Sequence, residues 1–423
     1  MLLGIPARRY VLPVIWIAVS AMHAGAVEVP EITRPHPRLL LNAKQLATVR
    51  ERALSGRAPF TVSWRLLRRY ADGALNLVPT PYTGTDSVEA YFATVGQAEV
   101  TRDLALAWHI SGQEPYALKA LELLLAWSNA KPPAMSRVDP QDRQPGSGMH
   151  IGRATMPFVW AYDLLYEHPS WTREQRETVE AWFRVLEMQV KRGILRWHRN
   201  DYFNRQYYQN HLAAHVMALT LIGYVLGDRE LVQYAIASPE NPRDFVQLLE
   251  GMIFMPGDAP HHREPAGLSV QRGELYDRYR HHTARGRGLQ YAHLSMTLLT
   301  ITAEACLQNG LDFYAYTAPT GERLEYVYDF YAPFYAAMKS DLQGGFYAGE
   351  CHRMGRAGDD PMFFELAHAR FPENENIQAV LLNHQRPGRR FWLLGWPTLL
   401  YGAEENQCTP GSERRRAPGT PEN

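Results

Sequence analysis

The stretch Asn204–Asp228, NRQYYQNHLAAHVMALTLIGYVLGD, is the one around which the rest of the chain reads as scaffold. From Tyr208 onward its spacing predicts a helix. Leu212, Ala218, Leu219 and Ile222 recur at helical intervals, Gly227 stands where a C-terminal cap belongs, and Asp228 can cap the next helix. Gln209, Asn210, His211 and His215 crowd the opening turns behind Tyr207 and Tyr208. His211 and His215 are four apart, so they share a face with Ala218 and Ile222. A half-apolar helix that spends its first turns on Asn-His points to a site at its mouth; the plainer alternative is a pair of satisfied core histidines.

Around this helix the pattern is helical throughout. Asn42, with Gln45 three residues on, reads as a capping box opening a helix with Leu46, Val49 and Ala53 on one face. Further helices are expected at about Phe60–Ala74, Val88–Ser111, Glu114–Ser128, His150–Tyr166, Arg173–Trp197, Arg229–Ala237 and Asp244–Phe254. Others cover roughly Gly286–Gln308, Gly321–Met338, Asp360–Arg370 and Asn376–Leu382. No strand alternation, dinucleotide fingerprint or P-loop appears. Short links between long amphipathic helices imply antiparallel hairpins, which can close into a toroid or extend as a solenoid. The helices share no fixed-period consensus, which disfavours the solenoid. The expected fold is all-α, an incomplete (α/α) toroid of helical hairpins in one domain, residues 27–402.

Three long loops interrupt it: Val78–Ser87, Lys131–Gly148 and Met255–Gln271. Loops of this length in a compact domain are functional or disordered, and the first, with Tyr82 near its tip, is expected to act as a lid. Residues 403–423, with Arg414-Arg415-Arg416 among Pro, Gly and Glu, read as a disordered tail.

The 423 residues balance 44 Lys and Arg against 44 Asp and Glu, which argues against nucleic acid or an anionic membrane as principal partner. The N-terminus has the form of a signal peptide, residues 1–26. Arg8 and Arg9 precede the apolar Val11–Met22, and Ala24-Gly25-Ala26 supplies a cleavage site. The apolar run is too short, and too broken by Pro13, to stay in a bilayer. A periplasmic or secreted protein is expected. Its cysteines are Cys306, Cys351 and Cys408, without metal-ligand spacing. Cys306 reads as a buried thiol, and a Cys351–Cys408 disulfide stays open.

A second chemical stretch is Arg272–Met296, RGELYDRYRHHTARGRGLQYAHLSM, which sets Tyr291 among Arg285 and Arg287. A guanidinium beside a phenol favours the phenolate, so a tyrosine so placed can take and return a proton near neutral pH. The alternative is a tyrosine packed in a helix interface beside exposed arginines. His211-Leu-Ala-Ala-His215 has the interval of a zinc pair but lacks the Glu of HExxH. His261-His262 and His281-His282 read as solvated loop histidines or contacts to an acidic sugar chain. Trp197, Tyr207 and Tyr208 suit stacking on sugar, and Arg153 suits a carboxylate; core packing and a surface salt bridge are the alternatives.

With these residues in view, the chain resembles the alginate lyase family of polysaccharide lyases, related to glucuronan and heparinase-type lyases. The likeness runs from His36-Pro37-Arg38-Leu39-Leu40-Leu41 to Trp396–Gly402, through Ala161-Tyr162-Asp163-Leu164-Leu165 and Asn309-Gly310-Leu311-Asp312-Phe313-Tyr314. Its most specific marks are Asn210-His211 and the ARGRGLQY run ending in Tyr291. The segment opens on Arg272-Gly273 where the family commonly has Asp-Gly, which leaves the polymer open. The resemblance implies a helical toroid whose cleft is lined by Asn210, His211, Tyr291 and an arginine, Arg285 or Arg287. Tyr82, Arg153, Trp197, Tyr207, Tyr208 and His215 are then candidate substrate contacts.

The implied reaction is β-elimination from an acidic, uronate-containing polysaccharide without cofactor or metal. Alginate or polymannuronate is favoured, and glucuronan is next. Other readings are a heparinase-type glycosaminoglycan lyase, a toroid that binds acidic glycans without cleaving them, and a helical-repeat interaction protein. Oligomeric state and endo or exo action are not readable from the chain.

Overall fold

The computed structural model describes residues 27–199, 208–241, 243–258, 270–277, 288–337, 361–384, 386–387, 390–391 and 393–403. The expected signal peptide and tail lie outside them. So do Tyr207, Arg285, Arg287, Cys351, Cys408 and the paired histidines at 261–262 and 281–282.

The described chain begins with α1 (Ala43–Leu54), α2 (Phe60–Ala74), α3 (Ser87–Ser111), α4 (Glu114–Ser128) and α5 (Ser147–Leu165). It continues with α6 (Arg173–His198), α7 (Asn210–Leu226), α8 (Arg229–Ile236), α9 (Phe245–Met252) and α10 (Gly288–Gln308). The last described helices are α11 (Leu324–Ala337), α12 (Phe364–Arg370), α13 (Glu375–Asn383) and α14 (Pro397–Tyr401). Among the described residues the only extended pairing is two isolated bridges, Ile253 with Leu275 and Phe391 with Gly395. No helix among them is long and apolar enough to cross a membrane.

The caps read from sequence are present. Asn42 Oδ1 accepts the Gln45 N–H at 3.0 Å, and Gln45 Oε1 accepts the Asn42 N–H at 2.8 Å. Asp228 caps α8 at 2.9 Å, and Gly227 ends α7 at φ 68°, a conformation glycine adopts without Cβ strain. Several boundaries differ from expectation. Helix α5 starts at Ser147, ahead of His150. Asp244 is the cap of α9 rather than its first residue, and Pro361–Phe363 is a 3-10 turn leading into α12. Helix α14 is an element the sequence pattern did not separate.

The helices alternate between two rows. In the inner row α3 packs on α5, α5 on α7 and α7 on α10, while α2, α4, α6 and α8 cover them from outside. This is the arc of an incomplete (α/α) toroid. One continuous apolar core runs through it from Val29 to Tyr401. Helix α7 is more central than expected: beyond His211 it is buried on every face as far as Val225. A helix that is hydrophobic nearly all round is a buried one, and Asn210, His211 and His215 are the polar exceptions in its first two turns.

Three stretches that carry the family likeness meet in one structural knot. Asp163, fully buried on α5, accepts the N–H groups of Arg38 at 3.0 Å and Leu39 at 2.9 Å, and its other oxygen lies 2.5 Å from His36 Nδ1. Asn309, beyond α10, donates to the Arg38 carbonyl at 2.8 Å. His36–Leu41, the Asp163 segment and the Asn309 segment therefore bind the lead-in to the inner row. They are scaffold, distant in role from chemistry.

The two loops before α3 and α5 are also ordered against each other. Gln97 Nε2 donates to the Val78 carbonyl (3.0 Å) and Thr80 Oγ1 (2.7 Å), while its Oε1 accepts from Thr80 N–H (3.1 Å) and Trp127 Nε1 (2.7 Å). Met135 N–H donates to the Tyr82 carbonyl at 3.0 Å, Asp139 N–H to the Thr85 carbonyl at 2.8 Å, and Ser87 N–H to Gln144 Oε1 at 2.7 Å. Val78–Ser87 is thus a braced wall rather than the free lid expected. Its composition, rich in Pro, Gly and Asp, signals irregular backbone but cannot show the side chains that pin it.

Candidate active site

The inner helices share one polarity. Ser87 and Tyr91 open α3, His150 and Arg153 lie in the first turns of α5, Asn210 and His211 open α7, and Tyr291 lies in the first turn of α10. These four N-termini converge on one end of the arc, where the positive ends of the helix dipoles favour negative charge.

Asn210 is buried and held from behind. The carboxylate of Asp277, on the segment just after the Ile253–Leu275 bridge, accepts the Asn210 backbone N–H at 2.5 Å and its Nδ2 at 3.3 Å. Ser295 of α10 donates its hydroxyl to the same carboxylate. A carboxamide has two N–H donors, so Asp277 uses one and fixes the orientation of the other.

His211 is half-buried. Its ring lies against the Trp197 indole of α6, centroids 4.1 Å apart and tilted by 31°. Gly146 sits between two histidines: a Cβ there would stand 3.4 Å from His150 Cε1 and 3.5 Å from His211 Cε1. His150 Nδ1 lies 3.1 Å from Ser87 Oγ. Burial, with Arg153 nearby, pushes His150 down to about 4, so its imidazole is neutral around pH 7.

Arg153 is held by Tyr91, whose hydroxyl is 3.3 Å from Nη2 and whose ring lies 5.0 Å below the guanidinium carbon, and by Met149 Sδ at 3.1 Å. Burial pushes the Arg153 guanidinium down from its ordinary value, and attraction to the ionised forms of Tyr91 and Tyr291 opposes that shift. Its ordinary value is so high that the side chain stays charged. Arg153 and Tyr291, 138 positions apart in the chain, therefore lie within electrostatic reach of one another.

The other expected contacts are distributed differently. Trp197 is only 4 % exposed, so its ring supports His211 from the core side. Tyr82 turns its hydroxyl to its own loop, donating to the Asp86 carbonyl at 3.0 Å and accepting the Asp86 N–H at 3.1 Å. Tyr208 lies on α9 at Gly251, where an added Cβ would be 2.2 Å from the ring, under the Arg243 guanidinium. His215 is fully buried between Gly148 of α5 and Gly193 of α6, and burial together with Arg196 pushes it down to about 3. Its ring is thus a core group one turn beneath His211. Sequence reasoning missed His150, Asp277 and Ser295 as parts of the site. The i, i+3 spacing of His150 and Arg153 was the one available signal; Asp277 gave none.

No protein of curated function matches the chain significantly. The family model for alginate lyase matches residues 72–341. Among solved structures, an alginate lyase from Bacteroides ovatus superposes with a TM-score of 0.61 at 16% identity, over 87% of this chain and 100% of that one. A histidine-to-alanine variant of alginate lyase A1-III, complexed with a tetrasaccharide, gives 0.60 at 20% identity, over 85% and 94%. Alginate lyase A1-III from Sphingomonas species A1 gives 0.55 at 20% identity, over 81% and 94%. With the family model covering most of the chain, and Asn210, His211 and Tyr291 gathered at one end of a helical arc, the protein belongs to the alginate lyase family and is a polysaccharide lyase.

Proposed function

We propose that the protein cleaves a uronate-containing polysaccharide by β-elimination, with alginate and its polymannuronate blocks as first substrate and glucuronan as second. The observation that carries this reading is the placement of Asn210 and His211 at the start of α7 and of Tyr291 in the first turn of α10, with Arg153 of α5 within electrostatic reach of Tyr291. In such a reaction the C5 proton leaves to a base, a C4–C5 double bond forms, and the C4–O glycosidic bond breaks. The C5 proton is weakly acidic while the neighbouring carboxylate holds its charge. Asn210 offers that carboxylate the amide N–H not taken by Asp277, and His211 or a guanidinium shares the load. Donors fixed in advance around developing charge usually supply the greater part of an enzyme's rate enhancement.

Tyr291 takes the C5 proton and returns one to the leaving oxygen where both lie on the same face of the sugar, as in mannuronate and glucuronate. Arg153 stabilises the phenolate that exists before the C5 proton is taken and again once the leaving oxygen has been protonated. Arg285 and Arg287 remain candidates for the same task. Where the two groups lie on opposite faces, His211 is the base and Tyr291 the acid. Binding of a tetrasaccharide by the A1-III variant supports a polymer of several units as ligand. We also propose that residues 1–26 export the chain to the periplasm or beyond.

The test is a panel of alginate, polymannuronate, polyguluronate, glucuronan and heparan. Unsaturated uronate ends absorb in the ultraviolet, and hydrolysis products do not. Failure to generate that absorbance on any polymer sinks the proposal.

A further inference from the structure

A second basic feature stands outside the reactive cluster. On the last turns of α6, Arg192, Leu195, Arg196 and Arg199 follow one another at helical spacing, and with Asp142 they line a cavity of about 240 Å³. This is below the roughly 300–1,000 Å³ of a whole-ligand pocket, and suits one charged group.

The cavity holds an excess of positive charge. Arg196, itself nearly buried, pairs with Asp139 at 2.7 Å and Asp142 at 2.6 Å, and Arg192 pairs with Asp142 at 2.7 Å. Arg199 is exposed, and its guanidinium takes no acidic partner among the described residues. Among the described residues, two carboxylates therefore stand against three guanidiniums. The exposed Leu195 supplies apolar surface between Arg192 and Arg199.

Its position ties it to the reactive end. Arg196 also donates to Ser147 Oγ, the first residue of α5, three residues before His150. Trp197, which backs His211, lies on the neighbouring face of the same helical turn. A polyuronate carries a carboxylate on every unit, so a chain longer than the unit being cleaved has further carboxylates to offer to basic groups beside the reactive end. We propose that Arg192, Arg196 and Arg199 form an outlying subsite that takes the carboxylate of a uronate unit other than the one being cleaved. The proposal rests on the uronate reading of the site.

The test measures direct binding of mannuronate oligosaccharides of defined length to the Tyr291→Phe protein, with and without Arg199→Gln. Calorimetry provides the affinity and thermal melts check the fold, which an exposed side chain should leave intact. One exposed guanidinium–carboxylate contact contributes modestly, so Arg199→Gln should weaken octasaccharide binding about 2–5-fold and leave disaccharide binding alone, with Arg199→Lys restoring part of the loss. Equal affinity at every length overturns the subsite. Equal weakening at every length also overturns it, because the pocket would then belong to the reactive centre. Length-dependent loss of binding in a protein that cleaves no uronate polymer would leave the subsite standing while the lyase reading of substrate fails.

Discussion

The carboxylate of Asp277 accepts both the backbone N–H of Asn210, at 2.5 Å, and its side-chain amide, at 3.3 Å, across 67 positions of sequence. One buried acid thereby sets where α7 begins and which way its first side chain points. Asp277→Ala takes the acceptor from three buried donors, two on Asn210 and the Ser295 hydroxyl, and each orphaned group costs about 1–3 kcal/mol. A lowered melting temperature is expected together with a fall in turnover approaching that of Asn210→Ala. Normal turnover in a folded Asp277→Ala protein would show that the amide needs no such support.

Tyr291→Phe removes one hydroxyl and keeps the ring that packs α10. Proton transfer by a positioned group contributes about 10²–10⁴-fold, and a tyrosine serving as base and acid belongs at the upper end. Turnover should collapse while the melting temperature and glycan affinity hold. Near-parental turnover would remove Tyr291 from the reaction.

Asn210→Ala should lose carboxylate stabilisation, on the order of 10²–10³-fold in kcat by analogy with a single oxyanion donor. Arg153→Gln should also slow the reaction, since the proposed phenolate loses a nearby cation. An unmoved rate would pass the role to Arg285 or Arg287.

Acid should unfold the protein through its buried histidines. Burial holds His215 and His293 near 3 and His150 near 4, while an unfolded histidine titrates near 6.5. The unfolded chain therefore binds protons first, so stability is level above about pH 6.5 and falls as pH drops toward 3. Buried carboxyls raised above their ordinary range, Glu99 and Asp244, oppose the fall at its lower end. Denaturant midpoints measured from pH 7 to pH 4 should show a shallower slope for His215→Gln than for the parent. An identical slope would mean that His215 is not held neutral.

Gly148→Ala tests the crossing of α5 and α6. A Cβ at Gly148 would stand 2.6 Å from His215 Nε2 and 2.8 Å from the Gly193 Cα, and backbone cannot yield as a side-chain tip can. Overpacking costs about 1–3 kcal/mol, which outweighs the roughly 1 kcal/mol that alanine gains over glycine in a helix interior. A melting temperature equal to the parent's would show that the two helices separate freely.

Helix periodicity was readable where a helix such as α1 or α8 buries a stripe whose period is local. So was the Asn-His mouth of α7, since polar residues at the start of an otherwise apolar helix conflict with their neighbours. The partners were not readable. Asp277 pairs with Asn210, and Arg153 comes within electrostatic reach of Tyr291, only because the arc brings distant segments together. Local composition also misled at Val78–Ser87, where Gln97 and Gln144 supply the order that Pro and Gly conceal. His215 was read as a substrate contact because it shares a face with His211; one helical turn was enough to carry it into the core.

The shared polarity of the inner helices also imposes an order in time. Ser87, His150, Asn210 and Tyr291 arrive in that sequence as the chain is made, each at the start of its own inner helix. A nascent chain ending before Gly288 holds the histidines and Asn210 but no Tyr291. If Tyr291 carries the proton as proposed, an amino-terminal piece that stops short of α10 should leave glycans intact, which ties the onset of activity to the completion of that helix.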